Sequence, residues 1–120
     1  MITVAGAGPA DVDALVALYA ELDEFYGVPG AQDTPAERAS RVRSALFGDP
    51  PAGHALLAWD AAILAGFAGY QFIWPSSALT TSLYLKELYV ASAYRRAAQS
   101  FYESLGAGPL ETKLFYRVSL

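Results

Sequence analysis

The chain has no cysteine and a single histidine, His54. The absence of cysteine excludes disulfide bonds, thiolate zinc sites and a cysteine nucleophile. One histidine without thiolate partners does not favour a transition-metal site, so we expect no metal. The lack of cysteine is also in keeping with a cytosolic protein.

An excess of positive charge is missing as well. Lysine and arginine number 8 and aspartate and glutamate 12, which gives a net charge of -4 at pH 7. Binding to nucleic acid requires a basic face, so we expect no nucleic-acid partner. The acidic balance suits a cationic ligand, although in many proteins it serves only solubility.

Long apolar runs and a leader pattern are absent too. The first residues show no basic region followed by an apolar stretch, and no run approaches the length of a membrane span. We therefore expect a cytoplasmic protein without a membrane partner. The length of 120 residues predicts one domain covering residues 1–120.

Hydrophobic residues are plentiful. They make up 54% of the chain, and the mean hydropathy is +0.26. Two interpretations remain open: apolar surface that a partner covers, or the alanine enrichment that a GC-rich genome produces.

The first half of the chain predicts a strand and two helices. Ile2-Thr3-Val4 is a short apolar run, and Asp11 is a candidate cap for a helix whose apolar residues recur to Phe25. Gly27 and Pro29-Gly30 end that helix. Thr34-Pro35-Ala36-Glu37 is typical of a helix start, and the second helix ends at Gly48-Asp49-Pro50-Pro51.

The second half is dominated by strands. Apolar and alternating runs predict strands over Ala55–Trp59, Ile63–Trp74, Thr80–Val90 and Thr112–Leu120, with a helix over Ala97–Leu105. The predicted order is β-α-α-β-β-β-α-β. This order indicates a single α+β or mixed α/β domain.

Two local motifs carry little information by themselves. Gly6-Ala7-Gly8 suggests a dinucleotide fingerprint, but Asp11 stands where the third glycine belongs. We interpret the segment as a turn. His54 precedes a predicted strand without a serine or an acid arranged around it, so we interpret it as a loop residue rather than a base.

Three longer segments resemble one family. They are Leu64-Ala65-Gly66-Phe67-Ala68-Gly69-Tyr70-Gln71-Phe72, Leu83-Tyr84-Leu85-Lys86-Glu87-Leu88-Tyr89-Val90 and Phe101-Tyr102-Glu103-Ser104-Leu105-Gly106-Ala107. Together with the order of elements, they resemble the GNAT superfamily of acyl-CoA-dependent N-acetyltransferases, and within it the diamine (spermidine/spermine-like) branch. The resemblance implies a GNAT-like mixed sheet with acetyl-CoA as co-substrate and a small amine as acceptor.

The resemblance also implies roles for individual residues. Backbone groups of Leu88, Tyr89 and Val90 would pair with the pantetheine arm of acetyl-CoA by β-augmentation, and an amide there would polarise the thioester carbonyl. Tyr102 matches the tyrosine that donates a proton to the leaving thiolate. The alternative interpretation is that Tyr102 only packs against its neighbours. Three more residues fall in the family's cofactor-binding region: Arg95, Arg96 and Ser100.

The acceptor side of the predicted site is acidic. The chain has Lys86-Glu87 where the family branch carries an acidic pair, so an ammonium replaces the first acid and base catalysis there is in doubt. Glu87 is a candidate catalytic or cation-binding residue, with a solvated side chain as the alternative. Three residues at the end of the first helix fall where the family binds its amine: Asp23, Glu24 and Tyr26. A merely polar helix end is the alternative.

The junction of Arg96 and Ala97 departs from the family. In the family a glycine-rich pyrophosphate loop, its helix and a parallel strand lie between the two flanking segments; here no glycine follows until Gly106. A deletion, a gap closed up in the written sequence, and a variant that binds differently all remain open. If a deletion is real, the helix from Ala97 could replace the lost one, with Phe101 and Leu105 packed under Leu85 and Tyr89.

We therefore predict an N-acetyltransferase of a small amine that lacks the third helix and fifth strand of the family and binds acetyl-CoA weakly. The main alternative is a non-catalytic remnant that acts as a dimerising or small-ligand-binding module, since lost strands expose sheet edges. We expect a homodimer. A weaker alternative is a pocket between splayed strands, lined by Tyr70, Trp74 and Tyr84.

Overall fold

The computed structural model describes residues 1–28, 33–98 and 116–119, the last four by their backbone alone. Five strands and two longer helices form the described fold: β1 (Ile2–Gly6), α1 (Val12–Phe25), α2 (Pro35–Phe47), β2 (His54–Asp60), β3 (Ile63–Ile73), β4 (Ser82–Val90) and β5 (Tyr116–Ser119). Short 3-10 helices lie at Pro9–Asp11, Ser77–Leu79 and Ser92–Tyr94. The predicted α+β class and the order of the strands are confirmed.

The strands form one sheet in the order β1-β2-β3-β4-β5. Each neighbouring pair is antiparallel, so the described sheet is not the mixed sheet that we expected. The physical reason is the last connection. β5 returns beside β4 in the opposite direction, with Ser119 opposite Ser82 and Tyr116 opposite Leu85.

Local sequence explains where the helices begin. Thr34 and Glu37 form a reciprocal capping box, with hydrogen bonds of 3.1 and 3.2 Å between each side chain and the other residue's amide, and Pro35 occupies the first turn. Asp11 stands at the cap position of α1, as predicted, but its carboxylate accepts from the Gly8 amide at 2.8 Å instead. Gly6-Ala7-Gly8 is thus part of a turn into a 3-10 helix, as we interpreted it.

The core lies between α1 and one face of the sheet. Leu15, Leu18 and Leu22 of α1 pack against side chains of three strands, namely Ala55, Leu57, Phe67 and Tyr89. A smaller cluster joins the two helices through Val12, Val16 and Ala39. Because α1 covers β2, β3 and β4 together, residues on its sheet-facing side meet the centre of the sheet.

After β4 the chain makes a 3-10 turn and then an α-helical turn over residues 95–98. The helical backbone runs from Arg96 to Ala97 without interruption. Tyr94 anchors this turn, because its hydroxyl donates to the carboxylate of Asp60 at 2.7 Å. The predicted helix over Ala97–Leu105 is described only at its start. The predicted packing of Phe101 and Leu105 lies outside the described residues, as do Ser100 and Tyr102.

Candidate functional site

The two halves of β4 have different neighbours. β3 pairs with β4 along its length, but β5 pairs only with Ser82–Leu85. From Lys86 to Val90, no described strand lies on the side away from β3. Within the described residues, which leave out 99–115 before β5, this half of β4 has a sheet edge of the kind that an extended ligand can join.

The direction of the backbone groups at this edge follows from one hydrogen bond. The amide of Ala91 donates to the carbonyl of Ala65 on β3 at 2.8 Å. Because successive residues of an antiparallel strand alternate, the amide and carbonyl of Tyr89 also face β3, and those of Leu88 and Val90 face the edge. The structure thus keeps two of the three residues predicted to bind the pantetheine arm at the edge. Tyr89 belongs to the core.

A β-bulge separates the two halves of β4. Gly69 pairs with Glu87 and Tyr70 pairs with Leu85, so Lys86 has no partner residue on β3. A bulge bends its strand and increases the local twist, and such bulges are frequent beside active sites. The described part of β5 begins at Tyr116, opposite Leu85, so the described pairing on the outer side of β4 also ends beside the bulge.

Two adjoining cavities lie between the helices and this part of the sheet, with volumes of about 390 and 350 Å³. Four residues line both of them: Tyr19, Ala45, Leu46 and His54. The larger cavity extends along α2 to Asp23 and Asp33. The smaller one reaches Lys86 and Glu87 on β4. Together they form a concave space beside the bulge that is large enough for a small molecule.

Tyr19 is the side chain on which this space is centred. Its ring packs on Phe67 with a centroid separation of 4.6 Å, and its hydroxyl lies over Gly69, 3.7 Å from the position that a Cβ atom there would occupy. Glu87 stands opposite Gly69 on β4. Burial first, and then the charges of Glu87 and Asp23, raise the pKa of Tyr19 above its ordinary value. The phenol is therefore neutral at physiological pH and able to donate a hydrogen bond.

The sequence analysis did not identify Tyr19. Its position in the apolar pattern of α1 is typical of a core residue, and half of its environment is indeed core. The Tyr19 hydroxyl lies over Gly69, and Gly69 is paired with Glu87. Only this pairing shows that the hydroxyl lies near the Glu87 carboxylate. Gly69 and Glu87 both lie far along the chain from Tyr19, so no local spacing could indicate this arrangement.

The charged residues of the larger cavity form two ion pairs. Arg38 of α2 donates to the Asp23 carboxylate of α1 at 2.5 Å, and both side chains are mostly buried. This pair holds α2 against the C-terminal half of α1 and reduces the negative charge that Asp23 presents to the cavity. The second pair, Arg41 with Asp33, joins α2 to the residue before its cap.

His54 begins β2 and lines both cavities. Its ring stacks on Tyr70 at 5.3 Å and meets the edge of Phe72 at 5.2 Å. It is thus a half-buried strand residue rather than the loop residue that we expected, because β2 starts one residue earlier. In the described part of the chain, no group of three or more His, Cys, Asp or Glu side chains could hold a metal ion.

A second polar cluster fixes the end of β4 to α1. The Glu21 carboxylate accepts from the Ser92 amide at 3.1 Å. The guanidinium of Arg95 lies 4.2 Å from the centroid of Phe25, donates to the hydroxyl of Tyr89, and donates to the Val90 carbonyl at 3.4 Å. Hydrogen bonds from Ser92 and the charge of Arg95 lower the pKa of Glu21 below its ordinary value of 4.5.

The other predicted site residues are distributed unevenly. Asp23 and Glu87 line the cavities, whereas Glu24 and Tyr26 are exposed at the end of α1. Arg95 is turned into the cluster just described, and Arg96 is exposed.

The predicted pocket between splayed strands, lined by Tyr70, Trp74 and Tyr84, does not form. β3 and β4 are paired from Gly66 opposite Val90 to Ile73 opposite Ser82, so the strands do not splay there. Trp74 is 66% exposed and donates to the Leu79 carbonyl at 3.1 Å. Only Tyr70 lines a cavity.

Comparison by sequence finds no matching family model and no matching curated protein. Solved structures do match. An integron cassette protein from the mobile metagenome of V. cholerae has a TM-score of 0.68 at 20% identity, covering 97% of this chain and 91% of that one. A ribosomal-protein-alanine N-acetyltransferase from Brucella melitensis has a TM-score of 0.63 at 17% identity, and the match covers 88% of this chain and 70% of that one.

A third similar structure is described as a "predicted acetyltransferase with acetyl-CoA" from Clostridium acetobutylicum, with a TM-score of 0.61 at 14% identity, covering 95% of this chain and 94% of that one. Likeness at this identity establishes a shared fold. The α+β fold class that the sequence predicted is thereby confirmed, as a fold that this chain shares with these proteins. In the described residues, no helix is long and apolar enough to cross a membrane.

Proposed function

We propose that this protein is an N-acyltransferase that moves an acyl group, typically acetyl, from a thioester to a small cationic amine. One observation carries the proposal: a bulge in the pairing of β3 with β4, at Lys86, lies beside a cavity lined by Tyr19 and Glu87. A donor strand and an acceptor pocket thus meet at one point. The acetyltransferases among the similar structures support the same reaction class.

The donor is proposed to be acetyl-CoA or a related thioester. The pantetheine arm of such donors carries two amides, whose spacing suits pairing with an extended strand edge. The amide and carbonyl of Leu88 and the amide of Val90 are the groups proposed for that pairing, since the Val90 carbonyl accepts from Arg95. An edge amide directed at the thioester carbonyl would stabilise the negative charge that develops on its oxygen.

The acceptor is proposed to be an amine bound in the cavity beside Glu87. An ammonium group must first lose a proton; the neutral nitrogen then attacks the thioester carbon. A C–N bond forms, the C–S bond breaks, and the thiolate takes up a proton. The acyl group and one hydrogen are thereby exchanged between nitrogen and sulfur, and the reaction needs no oxidant or metal ion.

Residue roles follow from this chemistry. Glu87 attracts the ammonium group, and the neutral Tyr19 hydroxyl orients the attacking nitrogen. Asp23, whose carboxylate is paired with Arg38, contributes less. For Tyr102 we retain the role implied by the family resemblance, proton donation to the thiolate. Within this proposal we keep a diamine as the acceptor, as the family resemblance implies.

We also infer that the phosphate loop, helix and parallel strand of the family are missing between Arg96 and Ala97. One observation supports this inference: the strand beside β4 is antiparallel where the family has a parallel one. A homodimer and a cytoplasmic location remain predictions.

A direct assay tests the proposed function. The full chain is incubated with acetyl-CoA or S-acetylpantetheine and a panel of mono- and diamines, and N-acetylated products are measured by mass spectrometry. We expect catalysed product, reduced about tenfold or more by Glu87→Gln through loss of a charge contact to the transition state. Asp49→Asn, which removes the same charge at the exposed end of α2, is the matched control. Absence of product with every donor and amine would contradict the proposal.

A further inference from the structure

The larger of the two cavities has an apolar wall to which both helices and the sheet contribute. Two of its side chains come from α1, three from α2 and one from β2. They are Leu15, Val16, Val42, Ala45, Leu46 and Ala55. Leu15 and Ala55 belong to the buried core, and Val42 and Leu46 pack against that core. The packing of the fold therefore holds this wall in place.

The order of residues along α2 shows how the wall runs. Ala45 and Leu46 line both cavities, so they mark the opening from the smaller cavity into the larger one. Val42 lines the larger cavity one helical turn earlier, and Arg38 lines it one turn before Val42. From Leu46 to Arg38 the helix advances about 12 Å. A ligand that enters from the smaller cavity therefore passes along apolar side chains before it reaches Arg38.

The charged groups that line the larger cavity neutralise one another. They are two aspartates and two arginines, which form the pairs Asp23–Arg38 and Asp33–Arg41. Residues 29–32, which lead to Asp33 in the sequence, contain no charged side chain. Each of the two acids that line this cavity already has a cationic partner. These two acids therefore offer no net negative charge to an ammonium group within the apolar stretch.

Such a space favours hydrocarbon and disfavours an ammonium group. Each methylene group that is fully buried against apolar side chains strengthens binding by roughly threefold to fourfold. An ammonium group in the same place gives up its water without gaining a counterion, or else loses its proton. The larger cavity therefore discriminates between amines by the chemistry of the chain that follows the reacting nitrogen.

We infer that the acceptor of this protein is an amine whose reacting nitrogen carries an unbroken apolar segment, alkyl or aryl, which occupies the larger cavity. The inference rests on the proposed acyl transfer and specifies its substrate class. A diamine fits when methylene groups alone separate its two nitrogens. A polyamine such as spermidine, which has an ammonium group inside its chain, does not fit, although the branch that the sequence resembles includes it.

Two amines of equal length give the sharpest test. Octamethylenediamine and spermidine have the same number of chain atoms between their terminal nitrogens, and a methylene group in the first replaces the internal ammonium group of the second. Values of kcat/KM are measured for both with one thioester donor. We expect octamethylenediamine to exceed spermidine by about 100-fold, because the internal ammonium group has to be desolvated. Equal values, or a preference for spermidine, would overturn the inference.

A substitution in the wall locates the effect. Val42→Phe narrows the larger cavity, and Val42 does not line the smaller one. We expect kcat/KM for hexylamine to fall by about tenfold, and that for ethylamine to stay within about twofold. Val4→Phe makes the same change at a position on β1 that is 64% exposed, and is the matched control. Circular dichroism checks that both variants fold. An equal loss with the two amines would contradict the inference.

Binding without turnover separates this inference from the proposed function. Titration calorimetry of the unmodified chain, without a thioester, compares hexylamine with ethylamine. We expect hexylamine to bind more tightly by about tenfold or more. If it does and no amine is acylated with any donor, acyl transfer fails and the apolar preference of the cavity stands. If ethylamine and hexylamine bind and are acylated equally well, acyl transfer stands and the inference fails.

Discussion

The two halves of β4 share one strand and differ in what lies beside them. Ser82–Leu85 is paired on both sides, and Ser82 is 1% exposed. For Glu87–Val90 the described pairing is with β3, and Leu88 is 38% exposed. The bulge at Lys86 is the boundary between them. The first half stabilises the sheet, whereas the second presents backbone groups and the Glu87 side chain to a cavity. One strand can thus serve structure and chemistry when a bulge divides it.

A proline in the second half of β4, Lys86–Val90, should give the largest effect, a loss of activity. In Leu88→Pro the edge amide is lost while the ladder with β3 is kept, because the backbone groups of Leu88 face away from β3. We expect kcat/KM to fall by about 100-fold or more, as for loss of a donor to a developing oxyanion. The melting temperature should change little. Leu88→Ala keeps the amide and is the matched control; equal losses in both variants would show that the side chain matters instead.

A proline in the first half of β4, Ser82–Leu85, should instead lower the stability of the fold. Leu83 lies between Phe72 of β3 and Val118 of β5, so its one amide faces a paired strand on whichever side it points, and a proline there removes that ladder hydrogen bond. We expect Leu83→Pro to lower the free energy of unfolding by about 2–3 kcal/mol, measured by urea denaturation. If Leu83→Pro and Leu88→Pro destabilise the chain equally, the two halves of β4 do not differ in the way described here.

Tyr19→Phe tests whether the Tyr19 hydroxyl, in the cavity beside β4, contributes to activity or only to the core. The variant loses the hydroxyl over Gly69 and keeps the ring contact with Phe67. We expect kcat/KM for the amine to fall by about tenfold, mainly through kcat, with the free energy of unfolding unchanged within about 0.5 kcal/mol. Steady-state kinetics and denaturation measure the two quantities. A loss of stability without a loss of activity would assign Tyr19 to the core alone.

The smallest expected effect is the pH dependence of the stability that Glu21 contributes. Its pKa is lowered in the folded protein, so its contribution to stability is present above pH 4.5 and is lost as the pH falls through the folded pKa. Glu21→Gln should therefore be less stable than the unmodified chain at pH 7, by about 0.5 kcal/mol for a partly exposed contact. The difference should vanish at acid pH. Unfolding curves across this range give the result, and a difference that grows on acidification would have the wrong sign.

The sequence predicted those features that depend on neighbouring residues. The capping box of Thr34 and Glu37, the turn at Gly6-Ala7-Gly8 and the existence of each described strand rest on local patterns. The antiparallel addition of β5 was not predicted, because strand direction depends on a connection rather than on the strand. The fold class came from family resemblance, and the similar structures confirm it.

The site was predictable only in part. Glu87 and Asp23 were identified, and both line the cavities. Tyr19 and Glu21 were missed, because each acquires its role from a partner on β4 or beyond it: Glu87 for Tyr19, and Ser92, 71 positions along the chain, for Glu21. The bulge at Lys86 leaves no mark in the alternating pattern of β4. Such features appear only when two strands are set in register.

Hydrogen exchange at the open edge tests the central claim most directly. Amide exchange rates of Leu88, Tyr89 and Val90 are measured by NMR without a donor and with a saturating, unreactive thioether analogue of S-acetylpantetheine. Since edge amides lack a strand partner until the ligand supplies one, Leu88 or Val90 should exchange fast in the free protein and slow by about tenfold or more in the complex. Tyr89, bonded to β3, should remain slow in both states. Slow exchange at Leu88 and Val90 in the free protein, or no change when the analogue binds, would contradict the assignment of β4 as the donor-binding edge.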